Sequence, residues 1–251
     1  MNISARLFTA ALLVAPALAS PALAGSAFAA AGSTPAPATV ARYTFDAGAS
    51  ATGAVAENSG RGLPLTVRST AGGTIRFLAT KTGRIAGFPP PCVKGAATCA
   101  RALLEAANDA DLNPGLSKFT WGASILVAKT QVVGSSNIMQ KGAANSDSQW
   151  KMQIGAAAGR AQCVVVGLGA ATAYIARSTN AVTDGAWHRV MCNRTGTILS
   201  VSVDGVSRGQ VAVPATLSIS NTRPLRIGGP NFNTTSDMYH GYLDDVYAVL
   251  G

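Results

Sequence analysis

Apolar and polar residues alternate along most of the chain from about residue 40 to its C-terminus. The clearest run is 119–127, where every second residue is apolar: Phe119, Trp121, Ala123, Ile125 and Val127. A period of two residues is typical of a half-buried β-strand. Shorter runs of this kind predict further strands at 40–45, 63–67, 75–78, 137–140, 150–154, 162–166, 173–176, 187–193, 198–203, 206–213, 225–227 and 239–249.

Turn signals separate these runs and favour antiparallel pairing. Asp204-Gly205 is a preferred two-residue hairpin turn, and Asn113-Pro114-Gly115 is a turn as well. Many short strands between such turns predict an all-β sandwich. The segment 100–108 is the exception, because it consists of good helix formers and would be a helix on propensity alone.

The first 29 residues predict a signal peptide. Arg6 precedes an apolar run at 7–19, and Ala-x-Ala sequences that end at Ala24 and Ala29 offer two alternative cleavage sites. A membrane anchor is disfavoured, because Pro16 interrupts the run and a span needs about 20 strongly apolar residues. Residues 30–39 predict a linker of Ala, Pro and Thr, and residues 40–251 a single domain. We therefore expect a secreted protein that does not span a membrane.

The chain is basic but sparsely charged. Lys and Arg total 20 against 11 Asp and Glu, and charged residues make up 12% of the 251 residues. A positive surplus suits acidic polysaccharide, teichoic acid or anionic lipid. The arginines are scattered along the sequence, however, without a basic run, which favours a general role in solubility. Nucleic acid is not an expected partner.

Four cysteines in an exported chain suggest two disulfides, for which three connectivities exist. We favour Cys92–Cys99, which closes a small loop, together with Cys163–Cys192, which joins two predicted strands. Zinc is disfavoured, because the spacing of the first pair matches that of metal ligands poorly.

Six motifs in order resemble laminin-G-like domains of the concanavalin A-like lectin/glucanase superfamily, of the bacterial secreted type. They are Phe45-Asp46, Asn58-Ser59-Gly60, Leu112-Asn113-Pro114-Gly115, Phe119-Thr120-Trp121, Asp184-Gly185-x-Trp187-His188-x-Val190 and Gly241-Tyr242-Leu243-Asp244-Asp245-Val246. The resemblance covers about residues 41–250 and implies an antiparallel jelly-roll β-sandwich of two packed sheets. It also implies a strand at 100–107, pairing of Cys163 with Cys192, and Trp187 in the core with His188 on the other face of its strand.

Catalytic residues are not evident. Superfamily members that cleave glycans cluster carboxylates on one strand, and retaining glycosidases hold two carboxyls about 5 Å apart. The two glutamates of this chain, Glu57 and Glu105, do not form such a cluster. No Gly-x-Ser-x-Gly elbow accompanies the two histidines, His188 and His240. We expect no enzymatic activity, and a glycoside hydrolase is the least favoured hypothesis.

The resemblance implies a recognition module. We expect a non-catalytic domain that binds an extracellular glycan or a cell-envelope component, with a protein-binding or cell-envelope structural module as the alternative. The candidate ligand contacts are the freer aromatics and one loop amide: Trp150, Tyr174, Asn231, Phe232 and Tyr239. No cofactor is required, although the resemblance also implies a structural Ca²⁺ held by Asp46 and Asp244.

Overall fold

The computed structural model describes residues 36–92, 96–145, 147–232 and 237–251. The predicted signal peptide (1–29) and residues 30–35 of the predicted linker lie outside these ranges. The first strand begins at Ala38, two residues earlier than predicted, because Ala38 and Thr39 pair with Leu250 and Val249 of the last strand. No helix among the described residues has the length and apolar character needed to cross a membrane.

The described residues form two antiparallel sheets, which confirms the predicted all-β sandwich. The strands are β1 Ala38–Tyr43, β2 Ala54–Val55, β3 Leu65–Thr70, β4 Arg76–Ala79, β5 Arg84–Gly87, β6 Arg101–Ala106, β7 Phe119–Ala128, β8 Ser136–Gly142, β9 Gln149–Ile154, β10 Arg160–Val166, β11 Ala173–Ala181, β12 Asp184–Thr195, β13 Ile198–Val203, β14 Val206–Ala212, β15 Leu225–Ile227 and β16 Tyr242–Leu250. Single 3-10 turns follow β6 and β7, at Ala110–Leu112 and Lys129–Gln131.

Each sheet has eight strands. The first sheet has the order β14-β13-β12-β7-β16-β5-β4, with β1 paired to β16, and the second has the order β11-β10-β9-β8-β15-β6-β3-β2. β6 is a strand, as the resemblance implied, in spite of its helix formers. It pairs with β3 on one side and β15 on the other, and Leu104 and Ala106 are buried in the core. Tertiary pairing therefore overrides local propensity in this segment.

Three aromatic residues join the two sheets at the centre of the core. Phe119 and Trp121 extend from β7 of the first sheet and Trp150 from β9 of the second, with ring centroids 5.2 to 5.7 Å apart. None of the three is more than 1% exposed. Trp150 Nε1 donates a hydrogen bond to Leu112 O at 2.9 Å, which satisfies the one polar atom of that ring.

Both predicted disulfides are present. The Cα atoms of Cys92 and Cys99 lie 5.3 Å apart, and those of Cys163 and Cys192 lie 5.5 Å apart. Because β10 belongs to the second sheet and β12 to the first, the Cys163–Cys192 bond crosses the core and ties the two sheets together.

One end of the core contains a buried lysine. Lys141 Nζ donates to Asn113 Oδ1 at 2.8 Å, to Asn221 O at 2.7 Å and to Asn221 Oδ1 at 3.1 Å. Burial lowers the pKa of Lys141 to about 8, although Asp109 and Asp147 oppose this shift. The ammonium thus anchors the loops around residues 113 and 221 to the end of β8.

Removal of the inter-sheet disulfide should destabilise the domain more than removal of the other. The chain-entropy model gives about 3–4 kcal/mol for a Cys163→Ala/Cys192→Ala variant, whose cysteines are 29 residues apart. The same model gives about 2–3 kcal/mol for a Cys92→Ala/Cys99→Ala variant, whose cysteines are seven residues apart. Urea unfolding followed by tryptophan fluorescence measures both losses. A larger loss in the second variant would contradict this ranking.

Candidate functional site

The outward side of the second sheet is lined by amides and cations, and we call it the polar face. Residues directly opposite one another in an antiparallel sheet point to the same side. The register therefore aligns one row of side chains across seven strands. From β3 to β11 this row is Thr66, Glu105, Arg226, Gln140, Lys151, Val164 and Ile175.

Further amides flank this row on both sides. Gln153 lies opposite Asn137 on one neighbouring strand and opposite Gln162 on the other. Gln140 and Gln149 are each 6% exposed and Gln153 is 8% exposed, although all three point away from the core. The polar face is therefore recessed below the surrounding surface.

A cleft of about 460 Å³ opens at one end of the polar face. It is lined by Gln140, Gly142, Ala143, Asn145, Arg223, Pro224, Arg226, Pro230 and Asn231. Asn231, one of the predicted ligand contacts, thus lies in a concave and strongly polar surface.

Two arginines of the sheet hold the loop 228–232 that walls this cleft. Arg226 Nη1 donates to Pro230 O at 2.6 Å, and Arg101 Nη1 donates to Phe232 O at 2.6 Å. The Phe232 ring also lies 5.8 Å from the Arg101 guanidinium, within range of a cation–π contact. Phe232, a second predicted contact, therefore stabilises the rim of the polar face.

The amides of the polar face bond to one another and leave two acceptors over. Asn137 Nδ2 donates to Gln140 Oε1 at 2.5 Å, and Gln153 Nε2 donates to Gln162 Oε1 at 2.7 Å. Among the described residues, nothing donates to Asn137 Oδ1 or to Gln153 Oε1, and both atoms are buried. Buried acceptors are nearly always satisfied in folded proteins, so these two oxygens, which are enclosed by the fold, are exceptions.

The sequence analysis missed these amides, although a signal for them exists. In β9, Gln149, Lys151 and Gln153 alternate with the buried Trp150, Met152 and Ile154. Long polar side chains at every second position of a strand mark an outward face.

Three of the predicted ligand contacts belong to the core or its edge. Trp150 and Tyr239 are fully buried, which corrects the expectation that their rings are free. The hydroxyl of Tyr239 lies 2.9 Å from Tyr242 O and 3.2 Å from Leu126 O and donates within the fold. Tyr174 is partly buried and packs against the core. These rings serve packing.

The expectation that Trp187 lies in the core is wrong. Its side chain is on the outward side of β12 and is 43% exposed, whereas His188 shares the opposite side with the buried Val190. Trp187 lines a second cleft of about 410 Å³, the Trp187 cleft, on the outside of the first sheet. Its other lining residues are Thr80, Thr82, Ile85, Ser124, His188, Arg189, Asp204 and Asp244.

Both histidines are bonded within the fold. His188 Nδ1 lies 2.8 Å from Asp204 Oδ2, and His188 Nε2 lies 3.0 Å from Asp184 Oδ1. Burial alone would lower the pKa of His188, but hydrogen bonds to these two carboxylates outweigh it and raise the pKa above its usual value. His240 is buried with Nδ1 2.7 Å from Pro89 O, and burial lowers its pKa. These contacts are those of structural histidines that fix turns and loops.

The predicted calcium ligands lie near each other. Burial raises the pKa of Asp244, and the negative charges of Asp46 and Asp245 raise it further. Asp46 Oδ1 accepts a hydrogen bond from Arg84 N at 3.0 Å, and Asp244 Oδ1 accepts one from Asp245 N at 2.7 Å. Within the described ranges, no three His, Cys, Asp or Glu side chains form a group that could hold a metal ion. Two carboxylates fall short of the oxygen set that Ca²⁺ takes, and calcium binding stays a prediction.

Comparison with known proteins assigns the fold to a family. A laminin-G-type family model, described as concanavalin A-like lectin/glucanases superfamily, matches residues 105–249. The chain belongs to this superfamily. The match includes Arg226, Gln140 and Lys151 of the polar face as well as Trp187, and it confirms the resemblance of the sequence motifs. A search of curated proteins finds no match.

Solved structures with the same fold include carbohydrate-bound and toxin domains. Domain 4 of AbnA, a GH43 extracellular arabinanase from Geobacillus stearothermophilus, was solved in complex with arabinotriose. It superposes with a TM-score of 0.64 at 14% identity, over 86% of this chain and 93% of that one. The binding domain of Paraclostridial Mosquitocidal Protein 1 (TM-score 0.60, 10% identity) matches over 84% of this chain and 48% of its own length. The binding domain of botulinum neurotoxin DC in complex with SialylT (TM-score 0.58, 10% identity) matches over 84% and 47%. The chain thus spans about half the length of the two toxin domains.

The ion pairs of His188 should make stability depend on pH near neutrality. Because the pKa of His188 is raised in the folded state, its contribution is fully present below the unfolded value of about 6.5. This contribution is lost as pH rises through the folded pKa. We expect the melting temperature to fall more between pH 6 and pH 9 in the wild type than in a His188→Gln variant.

Differential scanning fluorimetry across that range measures the difference. The range stays above the acid region in which Asp184 and Asp204 titrate, since the pKa of each is lowered. Parallel pH profiles of the two proteins would contradict the assignment.

Proposed function

We propose that this protein is a secreted, non-catalytic module that binds a glycan on the polar face. The observation that carries the proposal is the in-register row in which Gln140 stands between Arg226 and Lys151. A side-chain amide both donates and accepts hydrogen bonds, as a sugar hydroxyl does, and a guanidinium donates from a fixed plane. All side chains of this row point outward, and its amides and cations are recessed. Such a row suits hydrogen bonding to the hydroxyl groups along a glycan chain.

The composition of the polar face favours a glycan over a protein partner. Protein interfaces are typically centred on buried aromatic and apolar anchors. The outward positions of the second sheet hold no aromatic residue in any of its strands, and their apolar residues include Leu103 on β6 and Val164 and Ile175 toward the β11 edge.

The carboxylates of the second sheet support binding without cleavage. Its strands, all of which the structure describes, contain a single acidic residue, Glu105. Glu105 Oε2 accepts a hydrogen bond from Arg226 Nε at 2.8 Å, and Arg68 Nη1 lies 3.8 Å from Glu105 Oε1. Glycoside hydrolysis ordinarily requires two opposed carboxyl groups. The strands of this face supply one, Glu105, and arginines bind it.

The solved structures and the disulfides are consistent with this proposal. Domain 4 of AbnA was solved with arabinotriose, and the neurotoxin DC binding domain with SialylT. Two disulfides suit an oxidising, extracytoplasmic compartment.

A Gln140→Ala variant should bind its glycan more weakly while keeping its fold. Loss of one or two neutral hydrogen bonds corresponds to roughly a two- to tenfold loss of affinity. A glycan array followed by calorimetry on the best ligand measures this loss. Gln210→Ala is the matched control, because Gln210 is exposed on β14 of the first sheet and does not belong to the in-register row of the second sheet.

A Trp187→Ala variant distinguishes the two clefts. We expect it to bind like the wild type, with no release of reducing sugar by either protein. Binding that disappears in Trp187→Ala and persists in Gln140→Ala would move the site to the Trp187 cleft. Absence of binding to any glycan would reject the proposed function.

A further inference from the structure

The outward side of the second sheet carries a surplus of positive charge. Register and strand alternation place six cations there: Arg68, Arg101, Lys151, Arg160, Arg177 and Arg226. Among the strand residues, one carboxylate, Glu105, shares that side, and Asp237 from the segment before β16 also acts on Lys151. The strands of the first sheet contain six cations and three carboxylates by comparison: Arg42, Arg76, Arg84, Arg189, Arg194 and Arg208, with Asp184, Asp244 and Asp245. The outward side of the second sheet therefore has a net surplus of five positive charges among its strand residues, and the strands of the first sheet a surplus of three.

Lys151 is the central cation of the polar face. It lies in the middle row between Gln140 and Val164. Within the described residues, no acceptor is within hydrogen-bond distance of its ammonium, and Asp237 is the charge that acts on it. Burial lowers the pKa of Lys151, and Asp237 offsets this only in part. A recessed ammonium with no hydrogen-bonded counter-ion is stabilised by an anion that arrives with a ligand.

The other cations extend this potential along the row. Arg226 stands two strands from Lys151, which corresponds to about 10 Å at the usual strand spacing. Glu105 neutralises part of the charge of Arg226 and Arg68, so the surplus is largest toward Lys151 and the exposed Arg160 and Arg177. A recessed surface of one sign concentrates the field and attracts ligands of the other sign.

We infer that the ligand of the polar face is an acidic polysaccharide, whose carboxylate or phosphate groups meet Lys151 and the surrounding arginines while its hydroxyls meet the amides. This inference rests on the proposed function, because it names the class of glycan that the same face binds. Cations alternate with amides along this row. Their positive charge favours an acidic polysaccharide, whereas it would contribute little to the binding of a neutral glycan. The recessed position of Lys151, unlike that of the exposed Arg160 and Arg177, also favours a flexible polymer over a flat membrane surface.

The test compares one polymer with and without its charge. The purified protein is titrated with polygalacturonate, with the same polymer after reduction of its carboxyls, and with that reduced polymer after phosphorylation. We expect at least tenfold tighter binding to one of the charged polymers than to the reduced one, and the preferred polymer identifies carboxylate or phosphate as the source. The preference should weaken as NaCl is raised from about 0.02 to 0.5 M, because salt screens the attraction.

Lys151→Gln tests the central cation, with Lys118→Gln as the matched control. Lys118 is exposed in the loop before β7, so both variants lose one charge but only one of them loses it from the polar face. Loss of a charged hydrogen bond corresponds to roughly a tenfold or greater loss of affinity for the charged polymer in Lys151→Gln. We expect Lys151→Gln to weaken binding of the charged polymer more than binding of the reduced one, whereas Lys118→Gln should change neither, and equal melting temperatures confirm that the fold is kept.

The outcomes separate the inference from the proposed function. Equal affinity for the charged and reduced polymers, or equal weakening by the two lysine variants, would overturn the inference and leave glycan binding intact. Binding of double-stranded DNA or of phosphatidylglycerol vesicles as tight as that of the polysaccharide would overturn it as well. Binding to none of these polymers, nor to any glycan on the array, would reject the proposed function itself.

Discussion

The strand register of the second sheet is the constraint on which the candidate site depends. Gln140, Arg226 and Lys151 come from three strands that are far apart in sequence, and only their direct opposition places them in one row. A slip of one residue in any strand would turn its polar side chains into the core and its apolar ones out. A polar face of this kind therefore needs a core that tolerates a single register.

The core specifies that register from the opposite side of the same strands. Trp150, between the outward Gln149 and Lys151, fills the space against Phe119 and Trp121, and its Nε1 is bonded to Leu112 O. Cys163, between the outward Gln162 and Val164, is tied through the core to Cys192. Each of these core contacts has one geometric solution, so the outward neighbours are positioned as precisely as the inward ones.

Most strands could be predicted from the sequence because their inward positions are strongly apolar. β7 and β13 follow the predicted pattern closely, whereas β2 and β5 were not predicted, since β2 has two residues and β5 (Arg-Ile-Ala-Gly) has a single large apolar side chain. The site was harder to predict for a physical reason. Exposure of an aromatic ring depends on the partner strand: Trp150 and Trp187 both sit in alternating strands, yet one is fully buried and the other 43% exposed. Amides form no distinctive pattern in a sequence. The arginines of β3, β6, β10, β11 and β15 lie on one side of the second sheet only because these strands pair in the fold.

Alternate positions of a single strand bear on the choice between binding and cleavage on this fold. On β9 the outward positions are Gln149, Lys151 and Gln153, where adjacent outward side chains lie roughly 7 Å apart along the strand. Carboxylates at such positions would repel one another, and one would be driven to hold a proton, which is the arrangement that an acid–base pair requires. Amides at the two outer positions have no such proton to exchange, and the ammonium between them attracts negative charge. The same strand geometry that could present a catalytic pair thus presents two amides and an ammonium at these three positions, which suits the binding of an acidic chain that we propose.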